Sequence, residues 1–261
     1  MSLQVVVPDT RPLNSLAAVA PAASAGTALS RQNNLIAIAD RLATEYHQVS
    51  AGAEFRVFAD SGRFLFVVIE GWLFRNAILE DGRRQILDFI LPGDFLAGRR
   101  QDPTEVSQTV DAITDSTVAI IPVSAVADLI GEMPSLAITL LEASQSALYA
   151  SYENLVDTGR RTSIEAVAHF LVRMEKRAAL AIGHTENGAV SFPLIQEHIG
   201  DAIGLTAVHV CRTLRKLKAA GVIEMGRGWL KITDRRRLAE IAGLWDSHGL
   251  EDEDGVCRLA S

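Results

Sequence analysis

Residues 194–233 decide the fold and read LIQEHIGDAIGLTAVHVCRTLRKLKAAGVIEMGRGWLKIT. Three isoleucines recur at four-residue intervals in the first part of this stretch: Ile195, Ile199 and Ile203. This spacing predicts one face of a short helix that ends at Gly204. Thr206 then begins a second helix, because its hydroxyl can accept a hydrogen bond from a free backbone N–H. The inward face of the second helix has three apolar residues at helical spacing: Val210, Leu214 and Leu217. Two helices joined by a short glycine turn are typical of a helix-turn-helix.

The residues after the two helices predict a β-hairpin, or wing. Residues 222–225 and 229–233 flank the turn Gly226-Arg227-Gly228, which places Arg227 at the tip. A helix, a glycine and a helix alone would also fit an αα-hairpin in any helical protein. The wing and the basic outward face of the second helix favour the DNA-binding alternative.

Charge is unevenly distributed along the 261 residues, whose formal net charge is −7. Residues 1–159 hold 10 basic and 19 acidic side chains, residues 160–237 hold 14 and 7, and residues 238–261 hold 1 and 6. The helix-turn-helix therefore lies in a segment of net charge +7 between two acidic segments. Such a segment suits DNA, because phosphates carry the negative charge of the duplex.

The outward face of the second helix predicts two kinds of DNA contact. Residues near its start are expected to reach base edges in the major groove: Ala207, Val208, His209 and Arg212. Arg212 can donate two hydrogen bonds to guanine, which is worth roughly 1–3 kcal/mol of discrimination. Four further residues are expected to contact phosphates: Thr206, Arg215, Lys216 and Arg227.

The chain upstream predicts an antiparallel β-roll, and hence an α+β protein. Short β-rich runs cover residues 63–69, 71–79, 85–90 and 116–122. Turns are expected at Glu80-Asp81-Gly82 and at Pro92-Gly93-Asp94. One amphipathic helix is expected before the roll, over residues 34–46.

A long helix is predicted from Pro134 to Gly159. Its residues recur at alternating intervals of four and three, as in a coiled-coil seam: Ala137, Leu141, Ser144, Leu148, Ser151, Leu155 and Thr158. This seam can pack on the protein's own roll or on a partner chain. A second apolar set can make the contact with the roll and leave the seam free: Leu136, Leu140 and Ala147. Thr162 or Ser163 is expected to cap the next helix.

Several of these segments resemble the Crp/Fnr superfamily of bacterial transcription regulators. The similar segments are Gly71-Trp72-Leu73, residues 80–89, residues 91–95, residues 159–162 and residues 199–214. The resemblance covers residues 35–240, in the family's order of sensory roll, dimerisation helix and winged helix-turn-helix. It implies a homodimer that binds an inverted repeat in double-stranded DNA and contacts RNA polymerase. In that dimer Leu141, Ser144, Leu148, Ser151 and Leu155 would form the interface.

Five segments are therefore expected along the chain. They are a flexible leader (1–29), a cyclic-nucleotide-binding-like roll (30–132), a dimerisation helix (133–159), a winged helix-turn-helix domain (160–244) and an acidic tail (245–261).

The roll departs from the ligand-binding members of the family. Gly98 stands where cyclic-nucleotide-binding members have a glutamate, and Val106-Ser107 stand where they have an arginine followed by serine or threonine. Arg99 and Arg100 are expected in a solvated loop. The only two cysteines are Cys211 and Cys257, so the N-terminal cysteines of the iron–sulfur members are missing. We therefore expect no cofactor and no metal.

The second helix also departs from the family pattern. Val208 takes the position of a glutamate that reads cytosine, Cys211 takes the position of a serine, and Arg212 is retained. We predict that the guanine contact is kept and that the cytosine-specified base pair is relaxed or becomes A·T. Cys211 is either a small residue that allows close approach to DNA, or a thiol whose oxidation would block binding.

Other classes of protein fit the sequence less well. Neither a catalytic motif nor a long apolar run is present, so we expect neither an enzyme nor a membrane span. The sparse cysteines and the lack of a signal peptide predict a cytoplasmic protein. The alternative function is a ligand-binding sensor with weak or secondary DNA binding.

Overall fold

The computed structural model describes residues 28–55, 64–97 and 108–244, with side chains from residue 35 onward. In chain order the elements are α1 (Ala28–Leu42), β1 (Glu45–Val49), β2 (Glu54–Phe55), β3 (Phe64–Glu70), β4 (Leu73–Ile78), β5 (Arg84–Ile90), β6 (Phe95–Ala97), β7 (Gln108–Ala112), β8 (Ser116–Pro122), α2 (Val123–Glu132), α3 (Ser135–Gly159), α4 (Ser163–Ile182), β9 (Val190–Phe192), α5 (Gln196–Ile203), α6 (Ala207–Ala219), β10 (Ile223–Gly226), β11 (Gly228–Ile232) and α7 (Arg235–Ile241).

Strands β1 to β8 form two antiparallel sheets within the described residues. One has the strand order β1-β8-β3-β6 and the other has the order β2-β7-β4-β5. Both sheets contribute inward-facing residues, among them Phe66 and Val110, to one apolar core. The α+β fold class with an antiparallel roll is thereby confirmed.

Both turns expected in the roll are present. The β4–β5 hairpin closes with a hydrogen bond from the Leu79 N–H to the Arg83 carbonyl, at 2.9 Å. The second turn closes with a bond of 2.9 Å from the Asp94 N–H to the Leu91 carbonyl. Gly71 precedes β4 with a φ of +92°, and a Cβ there would lie 2.2 Å from the Ser116 Oγ. Only glycine fits this position.

Helix α1 begins and ends earlier than predicted. The residues expected as its last turn belong to β1, which pairs with β8, and the Thr44 N–H donates to the Ile120 carbonyl at 2.9 Å. Backbone pairing with β8 thus overrides the helical spacing of residues 34–46. Leu35 and Ala39 are buried against residues of β3 and β8.

Helix α3 makes its apolar contact with the roll through its first turns and a later polar contact with β5 through the Asn154 amide. Leu136 is buried, and Leu140 and Ala143 pack on the apolar cluster that also covers α1. Ala147 is exposed. The prediction that Ala147 contacts the roll is therefore wrong, because that apolar contact already ends at Ala143.

The C-terminal elements form a winged helix-turn-helix. Thr162 is the N-cap of helix α4, and its N–H donates to the Glu165 carboxylate at 2.7 Å. Helices α5 and α6 pack on α4, next to a sheet of order β10-β11-β9. Strand β9 was not expected from the sequence, because a run of three residues is too short to show alternation.

Ile195 does not belong to the apolar face of α5. It precedes the helix and is 52% exposed, whereas Ile199 and Ile203 are buried. The prediction was wrong at this residue because the helix begins one position later. Within the described residues, no helix is both long and apolar enough to cross a membrane.

Candidate nucleic-acid interface

The turn between α5 and α6 is tight and depends on two glycines. Gly204 has a φ of +72°, in the left-handed region that favours glycine. The Leu205 N–H donates to the Gly200 carbonyl at 3.0 Å, and a Cβ on Gly200 would lie 2.4 Å from the Leu205 carbonyl oxygen. The two helices are therefore held as one unit, and the position of α5 determines that of α6.

Helix α6 is anchored by its inward face and by its N-cap. Three residues of that face are buried, as expected: Val210, Leu214 and Leu217. The Thr206 hydroxyl accepts a hydrogen bond from the His209 N–H at 3.3 Å. The His209 Nδ1 also lies 3.1 Å from this hydroxyl, which leaves Nε2 as the ring nitrogen available to a ligand.

The residues expected to read bases come together in the first two turns of α6. Val208 is 58% exposed, His209 and Arg212 are exposed, and Ala207 is half-buried. The Arg212 guanidinium has no hydrogen-bond or ion-pair partner in the described part of the chain. Cys211, the preceding residue, is half-buried with a free thiol.

The cations expected on phosphates are also unpaired. Arg215 and Lys216 are exposed on α6, and Arg227 is exposed at the tip between β10 and β11. None of the three has a polar partner within residues 28–55, 64–97 and 108–244. Lys218, in contrast, donates to the Met225 carbonyl at 2.9 Å and ties α6 to the wing.

The basic run at the start of α7 has partners within the protein. Arg235 forms an ion pair of 2.5 Å with the buried Glu175, and Arg236 pairs with Glu240 at 3.3 Å. Arg237 donates to the Ala220 carbonyl at 3.4 Å. These three arginines are therefore less available to a ligand than the unpaired cations of α6 and the wing.

Helix α3 carries a broad exposed apolar face. Its large exposed side chains are Ile138, Leu141, Leu148, Tyr149, Tyr152, Leu155 and Val156. The leucines belong to the predicted seam, whereas Ile138 and the two tyrosines were missed because they lie beside it. Ser144 and Ser151 are exposed, and their hydroxyls donate to the carbonyls of Leu140 and Ala147.

A cavity of about 990 Å³ lies between the roll and α3. Arg75, Asp88 and Gln108 line it from the roll, and Ser144 and Ser151 line it from α3. The predicted departures from the cyclic-nucleotide pattern, at residues 98–100 and 106–107, lie outside the described residues. Among the described residues, no group of three or more His, Cys, Asp or Glu can hold a metal ion.

The position of His198 differs from what the sequence predicts. The adjacent polar residues Glu197 and His198 predict a solvated helix face, and Glu197 is exposed. The His198 ring, however, lies against Phe74 of the roll, with 5.4 Å between ring centroids. No local pattern signals this contact, because Phe74 lies far away in the sequence.

A roll, a long helix with an exposed apolar face and a basic winged helix-turn-helix together define a two-part regulator that binds DNA through its C-terminal part. Comparison with known families agrees with this assignment. Residues 48–132 match the cyclic nucleotide-binding domain, and residues 165–241 match the Crp-like helix-turn-helix domain. The chain belongs to the Crp/Fnr family and is a DNA-binding transcription regulator.

Two relatives and one solved structure give the degree of similarity. The chain is 31% identical to the transcriptional activator protein FnrL of Cereibacter sphaeroides, over 80% of this chain and 82% of that protein. It is 33% identical to the nitrogen fixation regulation protein FixK of Bradyrhizobium diazoefficiens, over 67% and 72%. The structure of FixK2 from Bradyrhizobium japonicum is similar with a TM-score of 0.64 and 27% identity, and the match covers 76% of this chain and 96% of that one.

Proposed function

We propose that this regulator acts in the cytoplasm as a homodimer that binds an inverted repeat through α6. The observation that carries the proposal is the outward face of α6, where exposed Arg212, Arg215 and Lys216 have no partner in the described chain. A cationic helix face with a free arginine near its start suits a major groove, where phosphates position the protein and base edges specify the site.

The proposed dimer contact is the exposed face of α3. Leu141, Leu148 and Leu155 are 60%, 49% and 70% exposed, which is unusual for leucines on one stripe of a long helix. A second copy of α3 would bury this stripe around a two-fold axis. The two recognition helices would then enter successive major grooves about 34 Å apart.

We propose that Arg212 contacts a guanine in each half-site. Val208 offers only an apolar surface where the family pattern has a glutamate, so the base pair at that position should be relaxed or A·T. Selection of sites from a random DNA pool tests both assignments. Recovery of the family's usual cytosine at this position would contradict the role given to Val208.

DNA affinity measured at several salt concentrations tests the proposed function as a whole. The three cations assigned to phosphates, Arg215, Lys216 and Arg227, give six phosphate contacts in a dimer, so log K should fall against log salt with a slope of about −5. Replacing Arg227 by alanine removes two of these contacts and should reduce the slope by about 2. Arg41→Ala makes the same charge change on α1 and serves as the control. Binding that is independent of salt would contradict the proposal and would favour a sensor with secondary DNA binding.

We further propose RNA polymerase as the second partner. FnrL, the relative described above, is named as a transcriptional activator. We assign residues 30–132 to the roll, residues 133–159 to the helix that forms the dimer and residues 160–244 to the domain that binds DNA. Transcription in vitro from a promoter that carries the selected site would show whether the protein raises the yield of transcript.

A further inference from the structure

The DNA-binding part and the roll of one protomer share a single apolar core. Trp72, Phe74 and Phe89 of the roll belong to the same buried cluster as the helices α4 to α7. The rings of Trp72 and Phe192 are 6.3 Å apart, and those of Phe89 and Phe170 are 5.7 Å apart, both in edge-to-face geometry. The winged helix-turn-helix is therefore packed directly on the roll.

A first polar contact joins the β4–β5 hairpin to α5. The Arg84 guanidinium forms an ion pair with Asp201 at 2.7 Å and lies 5.1 Å from the centre of the Phe74 ring. The Gln85 amide donates to the Ala202 carbonyl at 3.2 Å. These contacts fix the position of α5 relative to the hairpin. Because α6 follows α5 through a tight turn, they also fix the position of α6.

A second polar contact joins α4 to the end of β5. The Arg177 guanidinium forms ion pairs with Asp88 at 3.0 Å and with Asp94 at 2.8 Å, and donates to the Phe89 carbonyl at 2.7 Å. Burial lowers the pKa of Arg177, but the two carboxylates raise it by more, so the guanidinium stays charged. The Asp94 carboxylate also accepts the Leu91 N–H at 2.9 Å, which ties the arginine to the turn after β5.

These contacts have a consequence for a dimer. Two protomers joined through α3 present their recognition helices at a separation that depends on how each helix-turn-helix sits on its roll. Because α5 and α6 move as one unit, the contacts of Arg84 and Arg177 restrain that separation. We propose that Arg84 and Arg177 are positioning residues that fix the half-site spacing this regulator accepts. This inference rests on the homodimer of the proposed function.

A competing restraint is the junction between α3 and α4. Asp157, at the end of α3, forms an ion pair with Arg161 at 2.5 Å and lies 2.7 Å from the His169 ring. If this junction alone held the helix-turn-helix in place, loss of the contacts with the roll would leave the preference for one half-site spacing unchanged. We call this preference the spacing selectivity.

The test uses the full chain and a set of duplexes with the selected half-sites. The spacer between half-sites is varied by one and two base pairs in each direction, and Kd is measured for each duplex and for a single half-site. Arg84→Gln and Arg177→Gln should lower the ratio of Kd values between altered and preferred spacing by roughly fivefold or more. Their Kd for a single half-site should stay within about twofold of the wild-type value, since α6 is unchanged.

Arg83→Gln is the matched control. Arg83 is the neighbouring arginine, but it is exposed and pairs with Asp81 inside the hairpin at 2.7 Å. Its removal should leave spacing selectivity at the wild-type value. The charge swap Arg84→Asp with Asp201→Arg should restore part of the selectivity that Arg84→Gln loses.

The outcomes separate this inference from the proposed function. Wild-type spacing ratios in both Arg84→Gln and Arg177→Gln would overturn the positioning role while leaving the homodimer intact. A wild-type protein that binds no inverted repeat at any spacing would overturn both. If Arg177→Gln does not fold, as judged by circular dichroism and thermal unfolding, Arg84→Gln and its charge swap decide the result, because that ion pair is partly exposed.

Discussion

Arg212 is the exposed arginine nearest the start of the recognition helix, and it has no partner in the described chain. Replacement by alanine should reduce the preference for the selected half-site by about 1–3 kcal/mol per contact, because the paired hydrogen bonds to guanine are lost. The affinity for unrelated DNA should fall much less, since Arg215, Lys216 and Arg227 remain. Competition between specific and random duplexes measures the difference. An equal loss on both would show that Arg212 contacts a phosphate.

Gly200 has a structural role that the sequence pattern alone does not show. A Cβ at this position would lie 2.4 Å from the Leu205 carbonyl oxygen. Gly200→Ala should therefore lower the free energy of unfolding by about 1–3 kcal/mol, because the turn must open to admit the methyl group. Urea denaturation measures this loss.

Gly159→Ala is the matched control for Gly200→Ala. Gly159 is the last residue of α3, and a Cβ there would meet no atom within 4 Å. The stability of the Gly159→Ala protein should therefore match or exceed the wild-type value, because alanine is the better helix former. Equal stability of Gly200→Ala and the wild-type protein would contradict the close contact in the turn.

At the scale of elements, the exposed stripe of α3 predicts a change of oligomeric state. Leu148→Asp places a charge in the middle of the proposed interface, where it would be buried without a partner. The variant should sediment as a monomer at concentrations where the wild-type protein is a dimer. Leu79→Asp makes the same change at a leucine of similar exposure, 44% against 49%, on the β4–β5 hairpin, and should leave the dimer intact.

The sequence correctly predicts those elements whose pattern lies in residues close together along the chain. The hairpin of β4 and β5, the glycine turn at Gly204 and the cap at Thr162 each depend on residues a few positions apart. Strand β9 and the position of His198 depend on partners far along the chain, so no local periodicity marks them. The end of α1 was wrong for the same reason, since β8 pairs with the residues expected as its last turn.

At the scale of the whole molecule, the contact between roll and helix-turn-helix should make stability depend on pH. Burial lowers the pKa of His198 and the neighbouring Arg84 lowers it further, while Asp201 and Glu197 act in the opposite direction. The unfolded chain binds a proton near the ordinary histidine pKa of about 6.5, before the folded chain does. The protein should therefore lose stability as the pH falls below about 6.5.

Urea denaturation at pH 7.5 and 5.5 measures this effect. The wild-type protein should lose more stability between these values than His198→Gln, which has no proton to gain at this position. His47→Gln, on β1, is the control and should behave like the wild-type protein. The same loss in all three proteins would show that His198 does not carry the pH dependence.

The shared core between roll and helix-turn-helix limits how this protein can be taken apart or recombined. A grafted C-terminal domain would leave Phe170 and Phe192 without their edge-to-face ring partners, since Phe89 and Trp72 stay behind on the roll. Chimeras with a foreign roll should therefore be insoluble or poorly folded unless both roll aromatics are transferred as well. In this chain the natural unit of exchange, for an engineer or for recombination between genes, is the roll and the DNA-binding domain together.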